Sequence, residues 1–497
     1  MSDDLSFRLP LTPLCKLLGM RYPLILAGMG GVARAELVAA VSQAGGFGFL
    51  GMVREPLALI REEIERVRAR TELPFGVNLI PAATPPALLA QQVDLCIALR
   101  VPVIGLFWDL AGAVVDKLRA AGIMVVCQVG SAADAIAAQE AGACALIVQG
   151  IEAGGHVRGR QPLAELLAQV LSVTDLPVAA AGGLATGADL VRVLDQGAQA
   201  AVFGTALIAT QESFAHDYHK QRLIQAKDGD TELTEAFHIN WPPHAPVRVL
   251  KNSVTRGERG DPFHDGSVVI GNEQGHPIYL FSTDSPLRSM TGDYEAMALY
   301  AGQGVGKIDA IKPATQRVAD ILEEAAALRR SMGEPRIELA SPVCYAGEFI
   351  EDAQIREIHK DVITVLDELL EAERAGARVT LRSASQTQDE ALRQVIQAVH
   401  RDEVKWCAML MRNLRKLRAT PGTRTGAFYD KAMAIDGLRD RLVFLNRGQG
   451  WVVRKLDALI PVVDDPEISQ DLTQMLEAHR SNIGLVNTAL DDRHEAS

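Results

Sequence analysis

At 497 residues the chain exceeds one ordinary domain, and length alone argues for about three units, while an apolar fraction of 48 % is enough to build sizeable cores. The formal net charge of −12 argues against nucleic acid or an anionic membrane as the main partner. Six scattered cysteines without a CxxC pair fit a reducing compartment, and the acidic N-terminus, with no basic region and no later run of membrane-spanning length, predicts a cytoplasmic location.

From residue 23 to about 205, short apolar runs alternate with Ala- and Leu-rich segments of helical spacing. The strand-like runs cover 23–27, 47–50, 75–79, 103–107, 123–128, 144–149, 177–181 and 200–203, eight in all. Segments such as 34–44, 56–70, 131–141 and 187–196 have the length of crossover helices. Eight βα units in a row predict an α/β fold, a closed (β/α)8 TIM barrel, with its functional loops at the carboxyl ends of the strands.

Those strand ends carry a compact inventory. Strand one runs into Gly28-Met29-Gly30-Gly31, strand three ends near Asn78, strand five at Gln128 and strand six at Gln149. Beyond Gln149 lies a Gly-rich loop, 149–159, in which Gly154 and Gly155 precede His156. The glycines allow backbone to approach a flat ligand, and an imidazole held over it is a candidate base. Strands seven and eight end in Ala181-Gly182-Gly183 and Gly204-Thr205. One such pair is explained by a tight turn. Two, at the last two strands and next to a helix N-terminus, point to a phosphate site. Asn78, Gln128 and Gln149 are uncharged partners for a planar heterocycle. Phosphate loops and amides together suggest flavin mononucleotide (FMN).

Residues 211–330 are less regular, with a lid expected over about 211–300. Six histidines fall here, and His216 and His219 share a helical spacing, but no Cys or Asp/Glu pattern accompanies them, so we expect solvated surface or lid residues. Residues 297–306 read as an apolar helix running into small residues, with Tyr300, Gly302 and Gln303 placed to close over the barrel mouth. Pro335, Pro342 and nearby glycines mark 331–347 as a linker. Beyond it, 348–376, 388–417, 428–460 and 466–490 have helical spacing and predict an all-α bundle of four antiparallel helices. Glu371, Glu373, His400, Glu403, Glu477 and His479 suggest a metal centre, yet the nearest Glu-x-x-His match is reversed and the third helix has no Glu. No metal is expected. The bundle resembles a ferritin-like one that has lost its ligands, with partner binding or self-association as its role.

Residues 10–325 resemble the nitronate monooxygenase (2-nitropropane dioxygenase-like) family of FMN-dependent barrels. The resemblance rests on residues 26–31, Gly76-Val77-Asn78, the Glu-Ala-Gly-Gly-His run within 149–159, residues 180–183, Gly204-Thr205 and Tyr300-Ala301-Gly302-Gln303. It implies that His156 is catalytic, that Gly182-Gly183 and Gly204-Thr205 hold the FMN phosphate, and that Asn78 and Gln149 line the flavin ring. The implied reaction oxidises an alkyl nitronate with O2 to a carbonyl compound and nitrite, with His156 as base toward a nitroalkane or as positive partner to the nitronate. Related barrels with the same loop reduce quinones or enoyl thioesters with NAD(P)H, which is the alternative; a non-catalytic scaffold with a partner-binding bundle is the third. An IMP-dehydrogenase-like barrel would need a cysteine in the strand-six loop, whereas Cys144 lies within the strand. Arg158, Arg160 and Lys307 are the candidates for a positive group near the flavin. The last third of the chain lies outside the resemblance.

Overall fold

A computed structural model describes residues 9–264, 268–331 and 348–491. Past Ser331, the expected linker lies outside the described residues. The chain divides into two compact units, a barrel with its insertion and a helical domain.

The eight expected strands form the barrel: Leu24–Leu26, Phe47–Gly51, Gly76–Leu79, Val103–Leu106, Met124–Val129, Ala145–Gln149, Val178–Ala181 and Ala200–Phe203. Each pairs in parallel with the next, and the first pairs with the last, Leu24 opposite Ala201, which closes the ring. Most strand residues are buried, as a parallel sheet covered on both faces requires. Inside, the bulk of Phe47 and Phe49, edge to face at 5.1 Å, is matched by Ala179, Ala181 and Ala200 on the far strands. Leu14 and Leu18 join this core from a short N-terminal helix, Pro13–Leu18, and Met20 from just beyond its Gly19 cap. That helix is tied to Gln199, just ahead of strand eight, through Thr12 Oγ1 (2.8 Å) and the Leu14 N–H (2.9 Å). The amino end of the barrel is therefore plugged, and the carboxyl end is left for function.

Between strand eight and the last barrel helix, Ala314–Ser331, the insertion is more ordered than a lid. It has a core of its own, including Phe237, Val247, Val249, Leu280 and Phe281. Two small antiparallel sheets frame it, one of which takes in Gly155 and His156 of the barrel loop. Residues 297–301 are not the expected apolar helix. Tyr300 bridges to Val249, the Leu250 N–H donates to Leu299 O (2.7 Å), and only short 3-10 turns flank the segment, Tyr294–Ala296 and Gln303–Lys307. Pairing with a neighbouring strand satisfies backbone groups that a helix would have bonded internally.

His219 is not a solvated residue. It is fully buried, its Nε2–H donates to Tyr300 O (3.0 Å), and Ser285 Oγ lies 3.3 Å from Nδ1. Burial pushes its pKa down to about 4, so it is a neutral strut beneath the Tyr300 segment. His216 is half-buried; it caps the helix Asp217–Gln225 by accepting from the Tyr218 N–H and stacks on Tyr294 at 4.0 Å.

The helical domain comprises Glu348–Gln386, Glu390–Lys416, the pair Phe428–Met433 and Leu438–Leu459, and Pro466–Asp491. The first helix does not stop at Gly376. That glycine lets the second helix approach, since a Cβ there would lie 2.4 Å from Glu403 Oε2. The third expected helix is broken ahead of Gly437, which caps its longer part. Nor do all neighbours in sequence run antiparallel. Arg441 meets Gln386 and Lys455 meets Glu368, so the third long helix opposes the first and runs with the second. The fourth opposes the second, with Lys416 on Asp465 and Asn482 on Asp402. The connection from 417 to 437 is thus a crossover, as in ferritin-like bundles. Among the described residues no helix is long and apolar enough to cross a membrane.

Candidate active site

Strand six delivers Gln149 to the barrel mouth, where the loop turns back over it. The loop is braced rather than free: Gly155 and His156 pair antiparallel with Arg248 and Val247. Gly155 has φ +73°, and a Cβ on Gly154 would come within 2.4 Å of the Gly302 nitrogen, so both positions need glycine. Both ends of the Gln149 amide are engaged by the loop itself. Nε2 donates to His156 O (2.9 Å) and Oε1 accepts from the Arg158 N–H (3.1 Å). Gln149 therefore positions the histidine. The Arg158 guanidinium holds the far end through Asp134, at 3.0 and 2.9 Å. Gln149→Leu would strip partners from two backbone groups, about 1–3 kcal/mol each where buried. We expect a lower melting temperature and slower turnover with flavin still bound; wild-type turnover in that variant would remove Gln149 from the positioning of His156.

His156 sits in an aromatic nest. Its ring stacks on Trp241 (3.3 Å between centroids, 24° between planes), with Trp108 edge-on at 6.5 Å and Tyr300 at 5.7 Å. Nε2 is closed off from solvent and has no hydrogen-bond partner. Burial, aided by the positive charge of Arg54, holds the imidazole pKa well below its usual value, so it is neutral at neutral pH. Tyr300 donates its hydroxyl to Thr283 O (2.6 Å), and burial raises its pKa further, so it stays protonated.

The loops that carry several of the expected cofactor residues meet one another. Gly302 donates its N–H to Thr205 Oγ1 (2.9 Å) and the Gln303 N–H donates to Glu152 O (3.0 Å), linking the insertion to the loops of strands six and eight. Gly183 lies against Glu152, and Met29 faces Gly204. A Cβ on Gly204 would meet only Met29 Sδ at 3.6 Å and Ala27 Cβ at 3.9 Å, so there is room over this turn. Asn78 is buried, with its amide 3.4 Å from Gly28 O. Gln128 is half-buried on strand five, and the Gln303 side chain is exposed. The helix after strand seven, Gly187–Asp195, does not offer its N-terminus to an anion. Asp189 accepts from the Ala185 and Thr186 N–H groups, and Glu324 from that of Gly187 (2.8 Å). Of the expected positive groups, Arg158 is paired with Asp134, Lys307 with Asp189 (3.0 Å), and Arg160 is exposed.

Trp108, Trp241 and Arg54 lie around His156 without having been singled out from the sequence. Trp108 follows strand four with φ +81°, a costly conformation for a bulky residue that tends to mark functional sites. Inspecting the end of strand four would have found it. Trp241 lies in the insertion, beyond the reach of any barrel rule. Arg54 donates to Asn240 O (2.6 Å), bracing the backbone next to Trp241.

A parallel barrel with a half-buried neutral histidine at its carboxyl mouth defines a class of barrel enzyme, here an oxidoreductase. The chain belongs to the nitronate monooxygenase family, which it matches over residues 12–88 and 82–324; enzymes of this family depend on flavin. It is 35 % identical over 345 residues to a (3aS,4S,5R,7aS)-5-hydroxy-7a-methyl-1-oxo-octahydro-1H-indene-4-carboxyl-CoA dehydrogenase of Mycobacterium tuberculosis, covering 63 % of this chain and 96 % of that one. Its structure is similar to that of FabK from Thermotoga maritima (29 % identity, TM-score 0.56, 65 % and 98 % covered). It is also similar to nitroalkane oxidase from Streptomyces ansochromogenes (30 % identity, TM-score 0.52, 64 % and 99 % covered). Residues 360–488 match a domain of unknown function, DUF6306.

Proposed function

We propose that the barrel binds FMN and oxidises alkyl nitronates, or the parent nitroalkanes, with O2 to a carbonyl compound and nitrite. The observation that carries this reading is the unpartnered Nε2 of a neutral His156 at the barrel mouth. A neutral imidazole takes a proton from the carbon next to a nitro group, and no change of protonation state has to come first. The base role is thus favoured over the positive-partner role. Trp108, Trp241 and Tyr300 exclude water around the ring, while Gln149 and the Arg158–Asp134 pair hold its loop. Gly182-Gly183 and Gly204-Thr205 would seat the phosphate, with Asn78 and Met29 near the ring. When bound, the flavin supplies the redox chemistry.

Identity to the mycobacterial CoA dehydrogenase favours a second reading, redox chemistry on a thioester with a nicotinamide partner. Anaerobic mixing separates the two. Loss of the oxidised flavin absorbance on adding an alkyl nitronate, followed by nitrite once O2 is admitted, is expected. Bleaching by NADH or NADPH but not by nitronate would overturn the nitronate reading in favour of the second.

A further inference from the structure

The helical domain holds a layer of buried polar side chains, one from each long helix. Glu373, Glu403, Gln449 and His479 are all at most 3 % exposed. His479 Nε2 lies 2.9 Å from Glu373 Oε1, and Gln449 Nε2 donates to Glu403 Oε1 (3.1 Å). The two carboxyls also bond each other. Burial without a countercharge pushes Glu373 up to about 8 and Glu403 well above the usual carboxylate range, so the pair holds protons at neutral pH until a cation beside it favours the ionised form. Of the other residues that suggested a metal centre, Glu477 is exposed and His400 is engaged with Ala377 O (3.0 Å) and Thr380.

This layer is not closed. Gln449 Oε1 and Glu373 Oε2 are buried without a donor, although a carbonyl or carboxyl oxygen so placed demands one. Glu373, Glu403 and Gln449 form part of the wall of a cavity of about 510 Å³, a volume suited to a small molecule and far larger than an ion needs. Phe428, Phe444 and Trp451 supply its aromatic wall, the two phenyl rings stacked at 4.9 Å. Half-buried Glu371 adds a third carboxyl, and Glu368 is paired with Lys455. The one basic lining residue, Arg447, is exposed. Among the described residues no group of three or more His, Cys, Asp or Glu is arranged to hold a metal ion.

Acceptors lacking donors, an acidic lining and aromatic faces select the same chemistry. An ammonium brings three N–H donors and no acceptor, and its charge is attracted to carboxylates and to ring faces. We propose that this cavity is a binding site for a small organic cation, a primary ammonium on an apolar body about the size of one aromatic ring, held by Glu373, Glu403 and Gln449.

The test is calorimetric titration of the full chain with 2-phenylethylamine, against 2-phenylethanol and 3-phenylpropionate as neutral and anionic counterparts. We expect saturable binding of one amine per chain, at least tenfold weaker binding of the alcohol, and none of the acid. Glu373→Gln should weaken the amine at least tenfold while flavin content and thermal transition are retained. Should that variant fail to fold, Glu371→Gln on the half-buried wall serves instead, with several-fold weakening expected. The proposal is overturned by absence of amine binding, by equal binding of the alcohol or acid, by affinity indifferent to these substitutions, or by Mn2+ displacing the amine.

Discussion

Replacing His156 with alanine should leave the barrel folded with flavin bound and lower nitroalkane turnover by about 10²- to 10⁴-fold, the usual contribution of a positioned base. The loss should be smaller with a preformed nitronate, from which the proton has already gone. The pH profile carries the same information. The imidazole is depressed by burial and by Arg54, so the acid limb of kcat/KM for a neutral nitroalkane should fall below the ordinary histidine value of about 6.5. Activity is present above the depressed pKa and lost as pH falls through it, because protonated imidazole cannot accept the proton. Wild-type turnover by His156→Ala would end the base assignment. An acid limb well above 6.5 would mean that the ring is not held neutral.

The second large effect belongs to the phosphate seat. Gly182 has φ +129°, and a Cβ there would stand 3.3 Å from the backbone of Gly150. Gly182→Val forces a β-branched residue into that conformation, at a cost of about 1–3 kcal/mol, and crowds the turn where the anion would sit. We expect purified protein with little or no flavin, measured as the ratio of flavin to protein absorbance, and no recovery on adding FMN. Gly122→Val is the control. It is strained likewise, at φ +76°, but nothing lies within 4 Å of its Cβ, and it sits ahead of strand five, at the amino end of the barrel rather than at the carboxyl mouth. That variant should lose stability and retain flavin. Full flavin content in Gly182→Val would place the phosphate elsewhere.

The barrel was legible because its signals are local. Apolar runs such as Ala145–Gln149, buried on both faces, differ in period and length from the helices between them, and the strand ends can be counted off. The same counting located His156, Gly182, Gly183, Gly204 and Thr205. The four helical segments of the last third followed from spacing alone, but their order in space did not, since a long connection leaves the direction of the next helix open. The residues misread are those whose surroundings come from elsewhere in the chain. His219 reads as a polar helix residue, yet the insertion closes over it. Residues 297–301 have helical composition, yet Val249 offers an edge to pair with.

By itself, then, the sequence determined the barrel, the mouth at which chemistry can occur and the presence of a histidine in its strand-six loop, because periodicity and glycine placement act over a few residues. Only the tertiary structure decided what those residues face. It engaged both ends of the Gln149 amide with the histidine loop, and stacked Trp241 from the insertion on His156 so that burial leaves the ring neutral. It also brought Glu373 and His479, 106 positions apart, into one buried layer beside a cavity. Burial and the pairing of polar groups are set by distant segments, and no local pattern encodes them.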